Sequence, residues 1–379
     1  MIRTLVVTND FPPRPGGIQA YVHALAVRQP AGSVVVYASD WAGSSAFDAA
    51  QPFPVVRHPG SLLLPTPDAA RRMRTVARAQ GCGAVWFGAA APLALLAPAL
   101  RRGSPIGRAV ASTHGHEVGW AALPAARQAQ RRIGSTVDVV TYLGDYTRSR
   151  LAPALGQHPL LARLPSGVDT NQFHPGADGG AVRRRHGIAP DAPVVVCVSR
   201  LVARKGQDVL VRCLPALRRR APGTRLLLVG GGPDRARLER LAREHGVAHA
   251  VTLTGSVPWE ELPAHHAAGD VFAMPCRTRR GGLEVEGLGI VYLEASATGR
   301  PVVAGRSGGA PDAVLDGETG LVVDGTCRDA VTRAVGDLLA DPARAGALGA
   351  AGRAWVEREW RWETLAARLH GLLDPAAQG

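Results

Sequence analysis

The stretch VVVCVSRLVARKGQDVLVRCL, residues 194–214, decides the fold of this chain. It opens with a run of valines that is typical of a buried strand. A polar loop follows, and Val209, Leu210 and Cys213 then recur at helical spacing. A strand that leads directly into a helix is the repeating unit of a parallel sheet, so the same alternation should recur on either side of this stretch.

Comparable β-branched runs do recur, and they alternate with segments of helical period. They lie at residues 5–8, 34–38, 84–87, 110–113 and 137–141, and then at 194–198, 226–229, 251–254, 271–274, 302–304 and 321–323. This pattern predicts an α/β fold of two Rossmann-like, doubly wound domains. Because such sheets bind ligands beyond the carboxyl ends of their strands, we expect the domains to face each other across a cleft that holds the active site.

The length of 379 residues and the apolar content of 46% suffice for two hydrophobic cores. A Gly/Ala/Asp stretch at 176–180 is suited to a linker. It predicts an N-terminal domain over 1–175 and a C-terminal domain over 176–355. Residues 356–379 are predicted to form a helix that returns to the first domain; a helix that caps its own domain is the alternative.

Composition favours a cytoplasmic protein without a metal site. The five cysteines are odd in number, widely scattered, and lack the spacing of metal ligands. Residues 1–10 reach a polar turn after one short apolar run, unlike a signal peptide. Other apolar stretches are too short to span a bilayer, which predicts a chain that does not cross the membrane.

The net charge of +13 indicates an anionic partner, which can be nucleic acid, an anionic membrane or a phosphorylated substrate. The charge is uneven, because residues 1–175 carry 17 Arg and 8 acidic residues, whereas the remaining residues carry 27 basic and 23 acidic ones. Of the 44 basic residues only Lys205 is lysine. A coding bias towards Arg explains the scattered positive charges without any function, but it does not explain Lys205.

Arg200 and Lys205 lie in the loop that follows the first strand of the second half. A diphosphate that leaves a sugar carries negative charge, which a guanidinium and a compact ammonium can neutralise without a metal. We therefore predict that both residues bind a diphosphate and act in catalysis. A solvated lysine without a function is the alternative. The glycines at 230–232, after the next strand, are interpreted as a tight turn.

The run EVEGLGIVYLEA, residues 284–295, carries the most specific pattern. Glu286 and Glu294 are eight positions apart, about two helical turns, so they share a face if the intervening segment is helical. Gly287 and Gly289 would present backbone N–H groups at the helix start, where phosphate and sugar hydroxyls bind. The apolar residues around them favour a buried helix, in which unpaired carboxylates would be costly.

Two motifs of the first half also follow predicted strands. Gly16 and Gly17 end a proline-rich loop and precede residues at helical spacing, so they are predicted to approach a phosphate or sugar hydroxyl, with an ordinary tight turn as an equal alternative. His114 directly follows the strand at 110–113 and is predicted to hydrogen-bond a substrate hydroxyl. His116 is the competing candidate for that role.

Together these motifs resemble the GT-B glycosyltransferases of family 4. The Arg/Lys pair of that family matches Arg200 and Lys205, and its E-x7-E signature matches Glu286 and Glu294. The resemblance covers nearly the whole chain. The resemblance implies retention of anomeric configuration without a divalent metal or other cofactor. It also implies an acceptor-binding first domain and a second domain that binds the sugar nucleotide. It implies the following donor-side residues: Gly16, Gly17, Arg200, Lys205, Val257, Glu286, Gly287, Leu288, Gly289, Ile290 and Glu294.

Within this family, Arg200 and Lys205 would hold the diphosphate and Glu294 the ribose. Glu286 and the amides of 287–289 would hold the transferred sugar, and Val257 would contact the base through its backbone. Gly17 would approach the diphosphate, and His114 would lie near the 6-hydroxyl of the sugar. Glu286 should not act as the nucleophile of a double displacement, because the family attacks on the face from which the diphosphate departs.

The runs at 8–22, 113–120 and 276–295 are similar to actinobacterial α-1,6-mannosyltransferases that use GDP-mannose and phosphatidylinositol monomannoside. Such a lipid acceptor would account for the positive first half, because basic residues can dock on anionic phospholipids at the inner face of the cell membrane. The arginines concerned are Arg71, Arg74, Arg78, Arg101, Arg102, Arg127, Arg131 and Arg132. Arginine-rich solvated helices without membrane contact are an equal alternative.

Other functions remain open at this point. A family-4 transferase with another sugar nucleotide and a soluble or different lipid-linked acceptor fits the donor-side residues equally well. A nucleic-acid-binding protein is a remote alternative, since only 5% of residues are aromatic and no recognition motif occurs, and we expect no nucleic-acid partner. A dinucleotide-dependent oxidoreductase lacks its GxGxxG motif after either first strand. The sequence does not fix the oligomeric state.

Overall fold

The computed structural model describes residues 1–115, 117–120 and 123–378, with the side chains of Trp120, Ala377 and Gln378 left aside. The chain divides into two compact units. The first comprises Met1–Gly167 and Trp362–Gly379, and the second comprises Val168–Arg361.

The first unit contains a parallel sheet whose strand order is β3-β2-β1-β4-β5-β6-β7. Its strands are β1 (Thr4–Thr8), β2 (Val34–Ser39), β3 (Val55–His58), β4 (Ala84–Phe87), β5 (Arg108–Ser112), β6 (Val139–Tyr142) and β7 (Leu160–Arg163). Its helices are α1 (Gly17–Ala26), α2 (Ser44–Ala49), α3 (Pro67–Ala79), α4 (Ala97–Arg101), α5 (Glu117–Trp120), α6 (Pro124–Gly134), α7 (Asp145–Leu155) and, at the end of the chain, α15 (Trp362–Leu373).

The second unit contains a parallel sheet of order β10-β9-β8-β11-β12-β13. Its strands are β8 (Val194–Val198), β9 (Arg225–Val229), β10 (Val251–Gly255), β11 (Val271–Met274), β12 (Val302–Gly305) and β13 (Gly320–Val323). Its helices are α8 (Gly179–Arg185), α9 (Gln207–Arg220), α10 (Arg235–Glu244), α11 (Leu262–Ala267), α12 (Ile290–Ala297), α13 (Arg328–Ala340) and α14 (Pro342–Glu359).

In both units the sheet is wound outward in two directions from its first strand, which confirms the predicted pair of Rossmann-like domains. Strands β1 and β8 are completely buried valine-rich runs, as expected for strands covered by helices on both faces. The edge strands β3 and β7 were not predicted. Each is half-exposed and ends in a basic residue, so its sequence lacks the continuous apolar run of a central strand.

The observed limits of the units differ from the predicted boundaries at 175/176 and 355/356. The first division lies at Gly167/Val168 because Val168 and Phe173 are buried in the core of the second unit. The second lies between Arg361 and Trp362, since Trp360 packs edge-to-face on Trp355 within the second unit. The Gly/Ala/Asp stretch at 176–180, predicted to be a linker, therefore lies inside the second unit.

Helix α15 belongs to the core of the first unit. Its residues Leu365 and Leu369 are fully buried together with Tyr21 and Leu25 of α1. Trp362 covers Gly167 so closely that a Cβ there would lie 2.6 Å from the indole ring. Among the helices that the structure describes, none is long and apolar enough to cross a membrane.

Candidate active site

The loop between β8 and α9 is held in one shape by backbone and side-chain contacts. Lys205 ends a single 3-10 turn, Ala203–Lys205, and Gly206 follows in the left-handed conformation with φ 80°. A Cβ at Gly206 would lie 2.0 Å from the carbonyl oxygen of Pro275, so only glycine fits between the loop and the end of β11. Gln207 closes the loop by donating to Ser199 Oγ at 2.8 Å and to the Arg200 carbonyl at 3.0 Å.

This loop directs Lys205 at Glu286. The ammonium nitrogen Nζ lies 2.6 Å from Glu286 Oε2, and the two side chains are only 11% and 7% exposed. A buried ion pair with this geometry is costly to break, because removal of one partner leaves the other charge unpaired in a low dielectric. The sole lysine is thus not a solvated residue.

The backbone at Glu286 is held by the segment that follows β12. The N–H of Gly309 donates to the Glu286 carbonyl at 2.9 Å. The segment 286–289 is not helical, which corrects the expectation that Glu286 and Glu294 share a helical face. Helix α12 begins only at Ile290, because Gly289 adopts φ 78°, a conformation that ends rather than continues a right-handed helix.

The start of α12 presents a row of unused donors. Within the described part of the chain, five consecutive backbone N–H groups have no hydrogen-bond acceptor: those of Gly287, Leu288, Gly289, Ile290 and Val291. Free N–H groups at a helix N-terminus attract anions and hydroxyl oxygens, because the partial positive charge of the helix is concentrated there. Glu286 directly precedes this segment in the chain, and Lys205 contacts Glu286. The segment and the ion pair together offer backbone N–H donors, a cation and a carboxylate.

Glu294 lies one turn into α12 and is buried. Its Oε2 has no hydrogen-bond partner among the described residues, and His266 Nε2 is 3.4 Å away. His266 lies on α11 and was not singled out from the sequence. The signal available there, two adjacent histidines before a strand, does not distinguish a site residue from a core residue.

Arg200 and Val257 line a separate depression at the carboxyl ends of β8, β9 and β10. Its volume is about 490 Å³, and its lining also includes Gly230, Gly231 and Ser256. Arg200 is exposed, and no carboxylate lies within 4.0 Å of it in the described residues. The glycines interpreted as a tight turn thus also open space for a ligand, and the guanidinium of Arg200 is available to one.

A buried carboxylate, Asp208, gathers three arginines close to the loop that carries Lys205. Its Oδ1 forms an ion pair with the guanidinium of Arg277 at 2.9 Å. The guanidinium nitrogens of Arg212 and Arg237 lie 3.3 and 3.6 Å from its Oδ2. Arg277 in turn donates its backbone N–H to the Arg204 carbonyl at 2.8 Å, next to Lys205. Sequence reasoning missed this cluster because its members are separated by up to 69 positions and meet only in the folded unit.

Two thiols and one phenol near Lys205 stay neutral. Burial raises the pKa of the Cys197 thiol to about 12 and the pKa of the Cys276 thiol to about 11. Burial also holds the pKa of Tyr292 well above its usual value, and its hydroxyl donates to the Met274 carbonyl at 2.7 Å. These three groups therefore do not supply a thiolate or phenolate nucleophile.

The remaining predicted residues belong to the first unit. Gly17 begins α1, and a Cβ there would meet no atom within 4 Å, so its backbone is open to a ligand. Gly16 precedes it, with its carbonyl accepting the Ala20 N–H at 3.1 Å. His114 is half-buried, and its Nε2 donates to the Gly88 carbonyl at 2.6 Å, which fixes the tautomer and the ring. His116 lies outside the described residues.

Comparison with known proteins decides the family. The chain is 59% identical over 377 residues to the GDP-mannose-dependent alpha-(1-6)-phosphatidylinositol monomannoside mannosyltransferase of Mycolicibacterium smegmatis, and 98% of each chain is covered. The chain belongs to this mannosyltransferase family. The mannosyltransferase of the same name from Mycobacterium tuberculosis is 54% identical over the full length of both chains.

A third relative of this family, a mannosyltransferase of Corynebacterium glutamicum named for the monoacylated acceptor, is 48% identical over 98% of each chain. Residues 180–355 also match the family model of glycosyl transferases group 1. The chain is therefore a hexosyltransferase, and membership in this family favours the enzyme over the nucleic-acid-binding alternative.

Solved structures support the same fold. Anabaena HepE in complex with UDP aligns with a TM-score of 0.80 and 18% identity over 99% of this chain and 100% of that one. Sucrose-phosphate synthase from Thermosynechococcus elongatus aligns with a TM-score of 0.74 and 22% identity over 99% of each chain. Both structures share the GT-B fold with this chain, which confirms the predicted fold class.

Proposed function

We propose that this enzyme transfers mannose from GDP-mannose to phosphatidylinositol monomannoside, with retention of configuration and formation of an α-1,6 linkage. The observation that carries the proposal is the Lys205–Glu286 ion pair beside the free amides of 287–291, in a chain 59% identical to a relative with that name. The pair offers a cation to the leaving diphosphate and a carboxylate to the sugar.

The donor would bind through groups that are already in place. Lys205 and Arg200 would neutralise the diphosphate as the glycosidic bond breaks, so that no divalent metal is required for that charge. Glu294 would accept hydrogen bonds from the ribose, and the base would enter the depression beside Val257. Since the fold supplies these groups in fixed positions, little reorganisation is needed in the transition state.

Glu286 would hold a sugar hydroxyl rather than attack the anomeric carbon. Its Oε2 is committed to Lys205 at 2.6 Å, which lowers its availability as a nucleophile. The acceptor 6-hydroxyl would attack on the face that the diphosphate leaves, and the departing diphosphate would receive its proton. Gly17, which begins α1, and His114, which follows β5, would contact the diphosphate and the mannose 6-hydroxyl.

A transfer assay tests this function. Radiolabelled GDP-mannose and phosphatidylinositol monomannoside should give a labelled lipid on thin-layer chromatography. UDP-glucose with the same lipid, and GDP-mannose with soluble mannosides, should give less than about 1% of that rate, since a missing polar match costs a buried site several kcal/mol. Faster transfer to a soluble acceptor would favour the alternative of a family-4 enzyme with a different substrate.

We also propose that the first unit docks on an anionic membrane. Helix α3 buries Ala69, Met73 and Ala77 and turns Arg71 and Arg78 to solvent. Helix α6 exposes Arg127, Arg131 and Arg132. No carboxylate of the described residues lies within 4.0 Å of these three side chains. Exposed leucines precede both helices, namely Leu62, Leu64 and Leu123. Arginines flanked by exposed apolar side chains suit the interface of an anionic bilayer.

Vesicle binding tests the docking surface. The full chain should bind phosphatidylinositol vesicles in a salt-sensitive way, and replacement of Arg127, Arg131 and Arg132 by Gln should weaken binding on the order of 100-fold, at about 1 kcal/mol per arginine. The matched control replaces three exposed arginines of the second unit, Arg219, Arg240 and Arg243, by Gln and should change binding little. Equal partitioning to neutral and anionic vesicles would contradict the proposal.

A further inference from the structure

His266 and Glu294 form a buried pair that the proposed function leaves unexplained. The two side chains are 0% and 4% exposed, and Nε2 of the histidine lies 3.4 Å from Oε2 of the glutamate. In the part of the chain that the structure describes, neither ring nitrogen of His266 has a hydrogen-bond partner, and Glu294 Oε2 has none either. Three polar atoms without a hydrogen bond in one pair of buried side chains are uncommon in a native interior.

The surroundings of His266 do not satisfy it in another way. Its ring packs against the ring of Phe272 at 5.3 Å and edge-to-face against Phe173 at 5.9 Å. Neither phenyl ring accepts a conventional hydrogen bond from an imidazole N–H. A phenylalanine would suit this apolar slot better than a histidine, so packing alone does not account for the residue.

The adjacent His265 provides the contrast. It is equally buried and lies on the same helix, but its Nδ1 is 2.8 Å from the Glu261 carbonyl. His265 therefore satisfies one nitrogen within α11, as a structural histidine commonly does. Among the residues that the structure describes, Glu294 is the one carboxylate within 4.0 Å of His266.

We infer that His266 is a positioning residue, which orients Glu294 and stabilises its carboxylate for the ribose hydroxyls of the donor. A carboxylate as deeply buried as that of Glu294 requires a partner, because an unpaired charge in a low dielectric is costly. His266 supplies an N–H donor on the side away from solvent, which leaves the other lone pairs of Glu294 to the ribose. A contact of 3.4 Å can shorten when a ligand binds.

This inference rests on the proposed function, because it takes Glu294 as the ribose ligand. It predicts a specific division of effects. His266→Phe keeps the aromatic packing but removes the donor, so the Kd of GDP should rise about tenfold, the value expected when a hydrogen bond to a charged group is lost. The KM for GDP-mannose should rise in parallel, and kcat at saturating donor should change less than about twofold.

The test measures GDP binding by isothermal titration calorimetry for the full-length wild type, His266→Phe, His266→Gln, His265→Phe and Glu294→Gln. The Gln variant keeps an N–H donor at position 266 and should retain more affinity than the Phe variant. His265→Phe is the matched control: it should lower thermal stability and leave the Kd of GDP unchanged.

A second ligand separates a positioning role from a structural one. With 2′,3′-dideoxyguanosine diphosphate, which lacks the ribose hydroxyls, wild type and His266→Phe should bind equally, and the double variant with Glu294→Gln should be no worse than Glu294→Gln alone. If Glu294→Gln binds GDP normally, the ribose assignment itself fails. If Glu294→Gln loses affinity and His266→Phe does not, or if His266→Phe loses affinity equally for both ligands, the inference about His266 is overturned.

Discussion

Replacement of Lys205 by Ala is expected to lower kcat by about 10³-fold, roughly 4 kcal/mol of transition-state stabilisation, while the fold remains intact. The variant removes the ammonium that would face the departing diphosphate. It also leaves the Glu286 carboxylate, 7% exposed, without the partner that lies 2.6 Å away. Single-turnover rates with GDP-mannose, together with circular dichroism to verify folding, measure the loss.

Lys205→Arg is the sharper variant, because it keeps the positive charge. The slot that holds Lys205 is nearly closed, and a planar guanidinium cannot take the place of a compact ammonium 2.6 Å from a carboxylate without displacing it. We expect a loss of at least about tenfold in kcat. Arg219→Ala, on the exposed surface of α9, is the control and should retain normal turnover. Near-normal activity of Lys205→Ala would refute the assignment of this residue.

Replacement of Glu286 by Gln should reduce kcat by about 10²-fold or more, since it removes a charged acceptor while it preserves size. The neutral amide would leave Lys205 as an unpaired buried cation and would weaken the hydrogen bond to a sugar hydroxyl. The thermal midpoint of unfolding should also fall, because one partner of a buried ion pair is lost.

Glu284→Gln serves as the comparison for this variant. Glu284 is two residues away and pairs with Arg279 and Arg280 in a more exposed setting, at 3.2 and 3.1 Å. Surface pairs of this kind contribute little, so its kcat and unfolding midpoint should stay close to those of the wild type. Equal effects of the two substitutions would mean that Glu286 acts only through the local structure of the loop.

The parts of this architecture that depend on local sequence were predictable. Valine-rich strands such as β8 predict a buried parallel sheet. The single lysine of the chain, Lys205, follows β8 and indicates a site at the carboxyl end of that strand. The edge strands β3 and β7 escaped prediction because half-exposed strands need no continuous apolar run. Their existence depends on pairing with a neighbour, which the local sequence does not encode.

The errors at the site have a similar origin. The spacing of Glu286 and Glu294 was interpreted as helical, but Gly289 takes a left-handed conformation that delays α12 until Ile290. The burial of His266 and Asp208 next to their partners arises from contacts between distant elements. Such contacts decide whether a common residue type is a core residue or part of a site, and a single sequence does not contain that distinction.

The most direct test of the central claim is the structure of the product formed from GDP-mannose and phosphatidylinositol monomannoside. Purified lipid from the transfer assay should be analysed by NMR for the anomeric configuration and linkage of the added mannose. The account predicts an α-anomeric mannose on the 6-hydroxyl of the acceptor mannose, with no product from Lys205→Ala. A β-anomer, a different linkage, or the absence of any labelled lipid would contradict it.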